Sequence, residues 1–156
     1  MQSTMIWYAK QSSNKIIELA GHTDAINSIA ISSCEEKLIS GGLDAELKIW
    51  DLNTQTCINS IKNQFSIINC IRTSIEERLV VACGSNKKVQ LWDYRTPKEQ
   101  ISINCDGFGN LYTVCLPSNY KVFNYKNLLK YSLNNKTGSF SINKTSCFVG
   151  CADGSI

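Results

Sequence analysis

The stretch EEKLISGGLDAELKIWDLNT, residues 35–54, recurs in altered form as EERLVVACGSNKKVQLWDYRT, residues 76–96. Within it, the Trp-Asp pair at Trp50-Asp51 returns at Trp92-Asp93, 42 residues later. Self-similarity at a period of this length indicates a chain built from structural repeats. The repeat is therefore the unit from which the fold is predicted.

Each repeat consists of short apolar stretches that are separated by Gly, Asn, Asp, Ser or charged pairs. Isoleucine, valine, leucine and tryptophan are enriched in these stretches, and no window keeps the 3.6-residue period of a helix. Runs such as KLIS, LKIW and LVVA are almost continuously apolar, which is typical of strands covered on both faces. Four strands per repeat predict small antiparallel sheets that stack against one another.

The composition is that of an ordinary globular protein, because 43% of the 156 residues are hydrophobic and 19% are charged. No uncharged apolar run is long enough to cross a membrane. The N-terminal residues lack a basic segment followed by an apolar core. We therefore expect neither a membrane span nor a secretory signal.

The chain contains eight cysteines but only one histidine and no CxxC pair, which argues against a zinc site. Most of the cysteines lie inside β-branched runs, so we expect them to be small core residues in a reducing compartment, the cytoplasm or nucleus. Cys34 is the exception, because it lies in a polar Ser-Ser-Cys-Glu-Glu-Lys turn. The cysteines are Cys34, Cys57, Cys70, Cys83, Cys105, Cys115, Cys147 and Cys151.

The first full repeat resembles the WD40 repeat family in three places: Gly21-His22, Ser40-Gly41-Gly42-Leu43-Asp44 and Trp50-Asp51. This resemblance implies an all-β fold of β-propeller blades, each with four antiparallel strands. The second repeat keeps Trp92-Asp93 but departs elsewhere. It has Gln64 or Phe65 where the family has His, Ala82 where it has Ser, and Asn86 where it has Asp.

The same resemblance divides the whole chain into about three and a half to four blades. YKVFNYKN at 120–127 resembles the KIWDLNT segment, and LYTVCL at 111–116 is then the strand before it. We expect the chain to form part of a larger propeller. The predicted units are 1–19, the end of a blade; 20–62, repeat 1; 63–104, repeat 2; 105–134, a degenerate repeat 3; and 135–156, the start of a further repeat.

The two ends of the chain match successive parts of one repeat. Aligned with the first repeat, CADGSI ends at the position of Leu47, and MIWYAK starts at the next position, that of Lys48. Three arrangements remain open: closure of about four blades within one chain, a head-to-tail pair of chains with about eight blades, or a place in a larger propeller. Closure within one chain predicts that a strand at Met5–Tyr8 pairs with residues 146–151.

The resemblance further implies that His22, Ser40, Asp44 and Trp50 form a structural hydrogen-bond tetrad. The chemistry of the side chains supports this role, since an indole N–H, a hydroxyl, an imidazole and a carboxylate can be linked in series. A catalytic role for the histidine and aspartate would need a nucleophile, and no motif supplies one. No phosphate-binding loop occurs either. We therefore predict a protein without catalytic activity, cofactor or metal.

The function implied by the resemblance is that of a protein–protein interaction scaffold, which binds partners through loops on one face of the blades. On this chain, the candidate partner-contact residues are Thr23, Asp24, Leu43, Ser85 and Ala152. One alternative is a nucleic-acid or ribonucleoprotein-associated propeller that uses the weakly basic C-terminal half. The lysines of that alternative are Lys87, Lys88, Lys121, Lys126 and Lys130. The other is a truncated propeller fragment with no independent function.

Overall fold

A computed structural model describes the chain at residues 4–9, 16–32, 34–62, 66–73, 79–93, 100–105, 110–115, 139–142 and 145–151. Every regular element in these residues is a β-strand, which confirms the predicted all-β class. In chain order the strands are β1 (Thr4–Ala9), β2 (Ile16–His22), β3 (Ile26–Ile31), β4 (Lys37–Gly42), β5 (Leu47–Asp51), β6 (Thr56–Ile61), β7 (Ile68–Thr73), β8 (Leu79–Gly84), β9 (Lys88–Asp93), β10 (Gln100–Asn104), β11 (Leu111–Cys115), β12 (Ser139–Ile142) and β13 (Thr145–Cys151).

Two complete antiparallel sheets form the centre of the described structure, with strand orders β3-β4-β5-β6 and β10-β9-β8-β7. Their registers repeat with the period of the sequence, because Leu38 pairs with Trp50 and Val80 pairs with Trp92. The predicted blades of four antiparallel strands are therefore confirmed. We call these sheets the first and second complete sheets.

The first complete sheet is apolar on both faces because side chains alternate along each strand. Leu38 and Trp50 pack with Ile17 and Leu19 of β2 on one face. On the other face, Ile39, Leu47 and Ile49 pack with a cluster from the second complete sheet. That cluster consists of Ile68, Ile71, Val80, Ala82 and Trp92. Stacking therefore removes both faces of β4 and β5 from water, as their nearly continuous apolar runs predicted, whereas Ile29 and Ile31 of β3 remain 50% exposed.

The turn between the second and third strands of each complete sheet is closed by the same kind of hydrogen bond. In the first complete sheet, Asp44 Oδ1 accepts a hydrogen bond from the Glu46 N–H at 3.2 Å, and Ala45 has a φ of 59°. In the second, Asn86 Oδ1 accepts from the Lys88 N–H at 3.2 Å. An amide oxygen can replace a carboxylate in this turn, so the change from Asp to Asn preserves it.

Side-chain carboxamides connect successive sheets at the start of their first strands. Asn27 Nδ2 donates to the carbonyl of Ile68 at 3.0 Å, and Asn69 Nδ2 donates to the carbonyl of Leu111 at 2.7 Å. Leu111 therefore has the same relationship to the second complete sheet as Ile68 has to the first, because each accepts a hydrogen bond from an asparagine of the preceding sheet through its carbonyl. β11 thus corresponds to the first strand of its sheet. The sequence pattern predicted instead that LYTVCL is the strand before YKVFNYKN. YKVFNYKN, residues 120–127, lies outside the described residues.

The third sheet has the strand order β11-β13-β12. Its first two strands keep the register of the complete sheets, since Thr113 pairs with Gly150 as Ser28 pairs with Gly41. β11 belongs to the predicted unit 105–134, and β12 and β13 belong to the predicted unit 135–156, so one sheet contains strands of both units. The division itself stays a prediction. Sequence matching follows chain order, whereas backbone hydrogen bonds pair strands regardless of the number of residues between them.

The strand pairing that closure within one chain would need, Met5–Tyr8 with residues 146–151, is not formed in the described structure. β13 pairs with β11 on one edge and with β12 on the other, so neither edge is open to Met5–Tyr8. β1 instead pairs with β2 in a two-stranded sheet that packs beside the first complete sheet. In the part of the chain that is described, no helix has the length and apolarity to cross a membrane.

Candidate interaction face and the tetrad beneath it

The structure brings His22, Ser40, Asp44 and Trp50 into one hydrogen-bonded series. Trp50 Nε1 lies 2.8 Å from Ser40 Oγ. His22 Nε2 lies 2.6 Å from the same oxygen, and His22 Nδ1 lies 2.6 Å from Asp44 Oδ2. β2, β4, the β4–β5 turn and β5 contribute one side chain each, so the series joins β2 to the first complete sheet.

The chemistry of the end groups sets the direction of each hydrogen bond. An indole nitrogen can only donate, so Ser40 Oγ accepts from Trp50 and donates its own proton to His22 Nε2. His22 Nδ1–H then donates to the Asp44 carboxylate, which fixes the imidazole in one tautomer. Each donor and acceptor in the buried centre is satisfied only when its neighbours are present.

The tetrad is sealed from solvent. His22 and Ser40 are 0% exposed, and the side chain of Asp44 is 1% exposed. A catalytic histidine and carboxylate must reach a substrate, and these two side chains are buried and bonded to each other. The geometry therefore suits a structural network.

Asp44 also ties two loops together above the tetrad. Its Oδ2 accepts a second hydrogen bond, from the Thr23 N–H at 3.1 Å. Beside it, the Leu43 N–H donates to the carbonyl of Ala25 at 2.8 Å. The β2–β3 loop and the β4–β5 turn are consequently held as one surface. We call this surface, comprising Thr23, Asp24, Leu43 and Asp44, the loop face.

Three candidate contact residues, Thr23, Asp24 and Leu43, lie together on the loop face and are exposed. Leu43 is a large apolar side chain that remains 41% exposed. Ser85 occupies the corresponding turn of the second sheet, where it is half-buried and its Oγ lies 2.7 Å from Ser66 Oγ. Ala152 lies outside the described residues.

The second sheet does not reproduce the tetrad. Ala82, which is 0% exposed, takes the place of Ser40, and its methyl group can neither donate nor accept a hydrogen bond. Gln64 and Phe65, the positions that align with the histidine, lie outside the described residues. Trp92 remains buried and contributes to the apolar cluster between the two complete sheets.

A charged network beside the tetrad was not predicted from the sequence. Glu46 forms ion pairs with Lys48 at 2.6 Å and with Lys62 at 2.7 Å, and Lys48 is only 7% exposed. Burial raises the pKa of Glu46, but the hydrogen bonds from Lys48 and Lys62 outweigh it and hold the pKa at about 2. The opposite charges of Glu46 and Lys48, two residues apart in the sequence, are the signal that could have predicted their ion pair.

Asp51 of the Trp-Asp pair has two partners of its own. Lys37, its cross-strand neighbour, forms an ion pair with its carboxylate, and the N–H groups of Asn53 and Thr54 donate to Oδ1 at 2.8 and 3.0 Å. The hydrogen bond from Lys37 is the main reason that the pKa of Asp51 is lowered to about 2. This aspartate therefore stabilises the β5–β6 turn.

The cysteines with described side chains are all free thiols, and two of them are exposed. Cys34 is exposed as expected, but Cys57 is exposed too, which corrects the prediction that it is a core residue. Cys57 lies near the start of β6, the edge strand of its sheet, where the first three residues are exposed. The buried thiols are Cys70, Cys83 and Cys105.

Two further predictions concern bound groups. Among the described residues, no three His, Cys, Asp or Glu side chains are placed together to hold a metal ion. Of the lysines proposed for nucleic-acid binding, Lys87 is exposed and Lys88 is half-buried, while the other three lie outside the described residues. Nucleic-acid binding thus stays a hypothesis.

A family model described as WD domain, G-beta repeat matches residues 13–51 and 55–93 of the chain. The chain is 29% identical over 84 residues to the methylosome protein WDR77 of Xenopus laevis, covering 53% of this chain and 25% of that protein. It is 27% identical over 120 residues to the nuclear distribution protein nudF of Aspergillus niger, covering 74% of this chain and 27% of that protein.

A third relative is the mitochondrial division protein 1 of Saccharomyces cerevisiae. It is 32% identical over 102 residues, covering 54% of this chain and 14% of that protein. The chain thus spans about a quarter or less of the length of these relatives.

Proposed function

The chain belongs to the WD40 repeat family, and we propose that it is a non-catalytic scaffold that binds partner proteins through the loop face. Members of this family are generally non-catalytic scaffolds. The observation that carries the proposal is the exposed Leu43 held on a rigid support. An apolar side chain fixed in place loses little entropy on binding, which is what an interface anchor requires.

The support for Leu43 comes from the contacts beneath it. The Leu43 N–H is bonded to Ala25, and Asp44 is bonded to both Thr23 and His22. Thr23 and Asp24 supply polar groups beside the leucine, as at the rim of a protein interface. The tetrad therefore positions the loop face, and the loop face contacts the partner.

The partners proposed are proteins whose contact surface offers an apolar pocket with hydrogen-bond donors nearby, since Leu43 and Asp24 are exposed on two loops that the hydrogen bond from the Leu43 N–H to the Ala25 carbonyl joins. The names of the relatives concern different assemblies, so they favour no single partner for this chain. We further propose that the protein works in a reducing compartment, the cytoplasm or nucleus. The free thiols support this, including the exposed pair Cys34 and Cys57.

Leu43→Asp tests the proposal, with Ile58→Asp as the matched control. Ile58 is also exposed, at 50%, but lies on the outer strand β6 away from the loop face. Wild type and both variants are immobilised, and the proteins that each captures from nuclease-treated lysate are quantified by mass spectrometry. Nuclease treatment separates direct protein contacts from contacts through nucleic acid.

We expect a set of proteins that wild type and Ile58→Asp capture equally and that Leu43→Asp captures at least about tenfold less. Direct titration of one purified member of that set then measures the same loss in affinity. Equal capture by all three proteins would overturn the loop-face proposal. Loss of the whole set on nuclease treatment would favour the nucleic-acid alternative.

A further inference from the structure

Two buried cysteines lie directly opposite each other in the second complete sheet. Cys70 of β7 pairs with Cys83 of β8, and no other strand pair that the structure describes sets one cysteine against another. Directly opposite residues of an antiparallel pair project from the same face of the sheet. Both side chains are thiols, with Cys70 5% exposed and Cys83 fully buried. The sheet therefore holds a buried dithiol.

The same register position carries no second sulfur in the neighbouring sheets. In the first complete sheet, Ser28 pairs with Gly41 at this point. In the third sheet, Thr113 pairs with Gly150. Each of those pairs combines a hydroxyl with a glycine, whereas the second complete sheet combines two thiols. The dithiol is thus a feature of one sheet and not a requirement of the repeat.

The register spaces the two cysteines as a disulfide requires. The Ile71 N–H donates to Ser28 Oγ in the neighbouring sheet at 2.9 Å, so Ile71 and its partner Ala82 form a pair of the non-hydrogen-bonded kind. Such pairs alternate with hydrogen-bonded pairs, whose Cα atoms are about 5.5 Å apart. Cys70 and Cys83 are the next pair along the ladder, and disulfides bridge Cα separations of about 4.4–6.8 Å. The backbone spacing therefore permits a bond between the two sulfurs.

The Cys70 sulfur lies at the contact between the second complete sheet and the third. Its Sγ is 3.9 Å from Thr113 Oγ1 and 4.0 Å from the carbonyl oxygen of Val114. A thiol is a weak donor and a weak acceptor, so these contacts do not fix the sulfur strongly. β7 is also the edge strand of its sheet, whereas Cys83 lies on the inner strand β8. Cys70 is therefore the thiol that a small reagent reaches first.

We propose that Cys70 and Cys83 form a reversible redox site whose oxidant is a small disulfide of the glutathione type. The Cys70 thiol gives its proton to solvent and attacks one sulfur of the oxidant, which breaks the S–S bond and releases one glutathione thiolate. Cys83 then loses its proton, attacks the Cys70 sulfur and releases the second glutathione thiolate. The two cysteines lose two electrons, and the two glutathione thiolates take up the two protons.

The disulfide changes the sheet in two ways. It joins β7 to β8, and it draws the Cys70 sulfur away from Thr113 and Val114. It also closes a loop that contains residues 71–82, and constraining that loop in the unfolded chain stabilises the folded sheet. In a reducing compartment, disulfides of this kind are transient and respond to the redox state. The site does not involve the loop face, so either proposal can fail without the other.

The test treats the native, reduced 156-residue chain with glutathione disulfide, blocks the remaining thiols with maleimide and maps the products by mass spectrometry. The substitutions Cys34→Ser and Cys57→Ser first remove the exposed thiols, which could otherwise exchange with the pair. Trypsin then yields residues 63–72 and 79–87, each of which contains one cysteine of the pair. We expect these two peptides to be joined by a disulfide, and dithiothreitol to separate them.

Single substitutions in this background assign a role to each thiol. Cys83→Ala should stop the reaction at a glutathione adduct on Cys70, because the thiol that displaces the second glutathione is gone. Cys70→Ala should leave Cys83 unmodified in the native protein, because Cys83 is fully buried. The matched control is Cys105→Ala, which removes another buried thiol and should leave the disulfide unchanged. Each variant is first checked for a cooperative unfolding transition.

Thermal unfolding separates a disulfide of the folded sheet from one that forms only after unfolding. The midpoint of the oxidised protein should lie about 5–10 °C above that of the reduced protein, and neither Cys70→Ala nor Cys83→Ala should show this gap. Three results would overturn the proposal. They are native protein in which the two peptides are not joined, equal linkage of Cys70 to other cysteines, and an oxidised protein whose midpoint is not raised.

Discussion

Trp50 and His22 share a single oxygen atom, the Oγ of Ser40, which lies 2.8 Å from the indole nitrogen and 2.6 Å from the imidazole nitrogen. All three side chains are buried. One hydroxyl therefore satisfies a donor and an acceptor that would otherwise be buried without partners. The stability of the first sheet should depend on this oxygen more than on any exposed hydroxyl.

Ser40→Ala should lower the free energy of unfolding by about 1–3 kcal/mol, because it leaves the Trp50 N–H and His22 Nε2 unsatisfied in the core. Thr56→Ala, which removes an exposed hydroxyl from β6, should change it by less than about 0.5 kcal/mol. Chemical denaturation monitored by tryptophan fluorescence measures both. Equal effects of the two substitutions would show that the buried series contributes nothing beyond packing.

Gly42→Ala should be more damaging than Gly41→Ala. A Cβ at Gly42 would lie 2.0 Å from the carbonyl oxygen of Ala25, a backbone atom of the strand-to-strand connection, and we expect a loss of about 3 kcal/mol or more. At Gly41 the nearest atoms belong to the side chains of Ile68 and Ile71, which can shift, so about 1–3 kcal/mol is expected. Urea midpoints that rank the two variants in the opposite order would contradict the packing described for this turn.

Glu46 should make the stability of the protein depend on acid. Its pKa is about 2 in the folded protein against an ordinary value of 4.5, so its ion pairs stabilise the fold above about pH 4.5 and are lost as the pH falls towards about 2. Glu46→Gln removes this contribution. The difference in unfolding free energy between wild type and Glu46→Gln should therefore shrink as the pH is lowered through this window.

The control for this measurement is Glu18→Gln, at an exposed position of β2. This substitution removes an exposed carboxylate and should change the unfolding free energy at neutral pH by less than about 0.5 kcal/mol. Equal unfolding free energies of wild type and Glu46→Gln at neutral pH would show that Lys48 and Lys62 do not stabilise the Glu46 carboxylate.

Cys34 should react with maleimide before the buried thiols. It is exposed, and a hydrogen bond from the Ser32 hydroxyl lowers the pKa of its thiol, which increases the fraction present as thiolate. Ser32→Ala should shift the rate profile of Cys34 to higher pH. Mass spectrometric mapping gives both rates, with Cys57 as the internal reference and Cys83 as the buried control. Labelling of Cys83 ahead of Cys34 in the native protein would contradict the strand assignments.

The strands of the two complete sheets and the members of the tetrad were predictable from the amino-acid sequence. The strands follow from a pattern that the repeat displays twice, apolar runs bounded by turn residues. The tetrad occurs once, and its four members were predicted from the resemblance to the WD40 family, which the hydrogen-bonding groups of the side chains support. The turns at Asp44 and Asn86 show why asparagine can replace aspartate in the second repeat. A carboxylate oxygen and an amide oxygen can each accept the hydrogen bond from the N–H two residues later.

Only the tertiary structure decided which strands share the third sheet and how exposed each face is. β13 resembles β4 in sequence, but its neighbour β11 is chosen by backbone hydrogen bonds between segments far apart in the chain, which local patterns do not encode. The partners of Lys48 and the exposure of Cys57 have the same origin. Both depend on whether another strand covers that part of the sheet, and the 50% exposure of Ile29 against the full burial of Ile71 shows how far identical residues can differ for that reason.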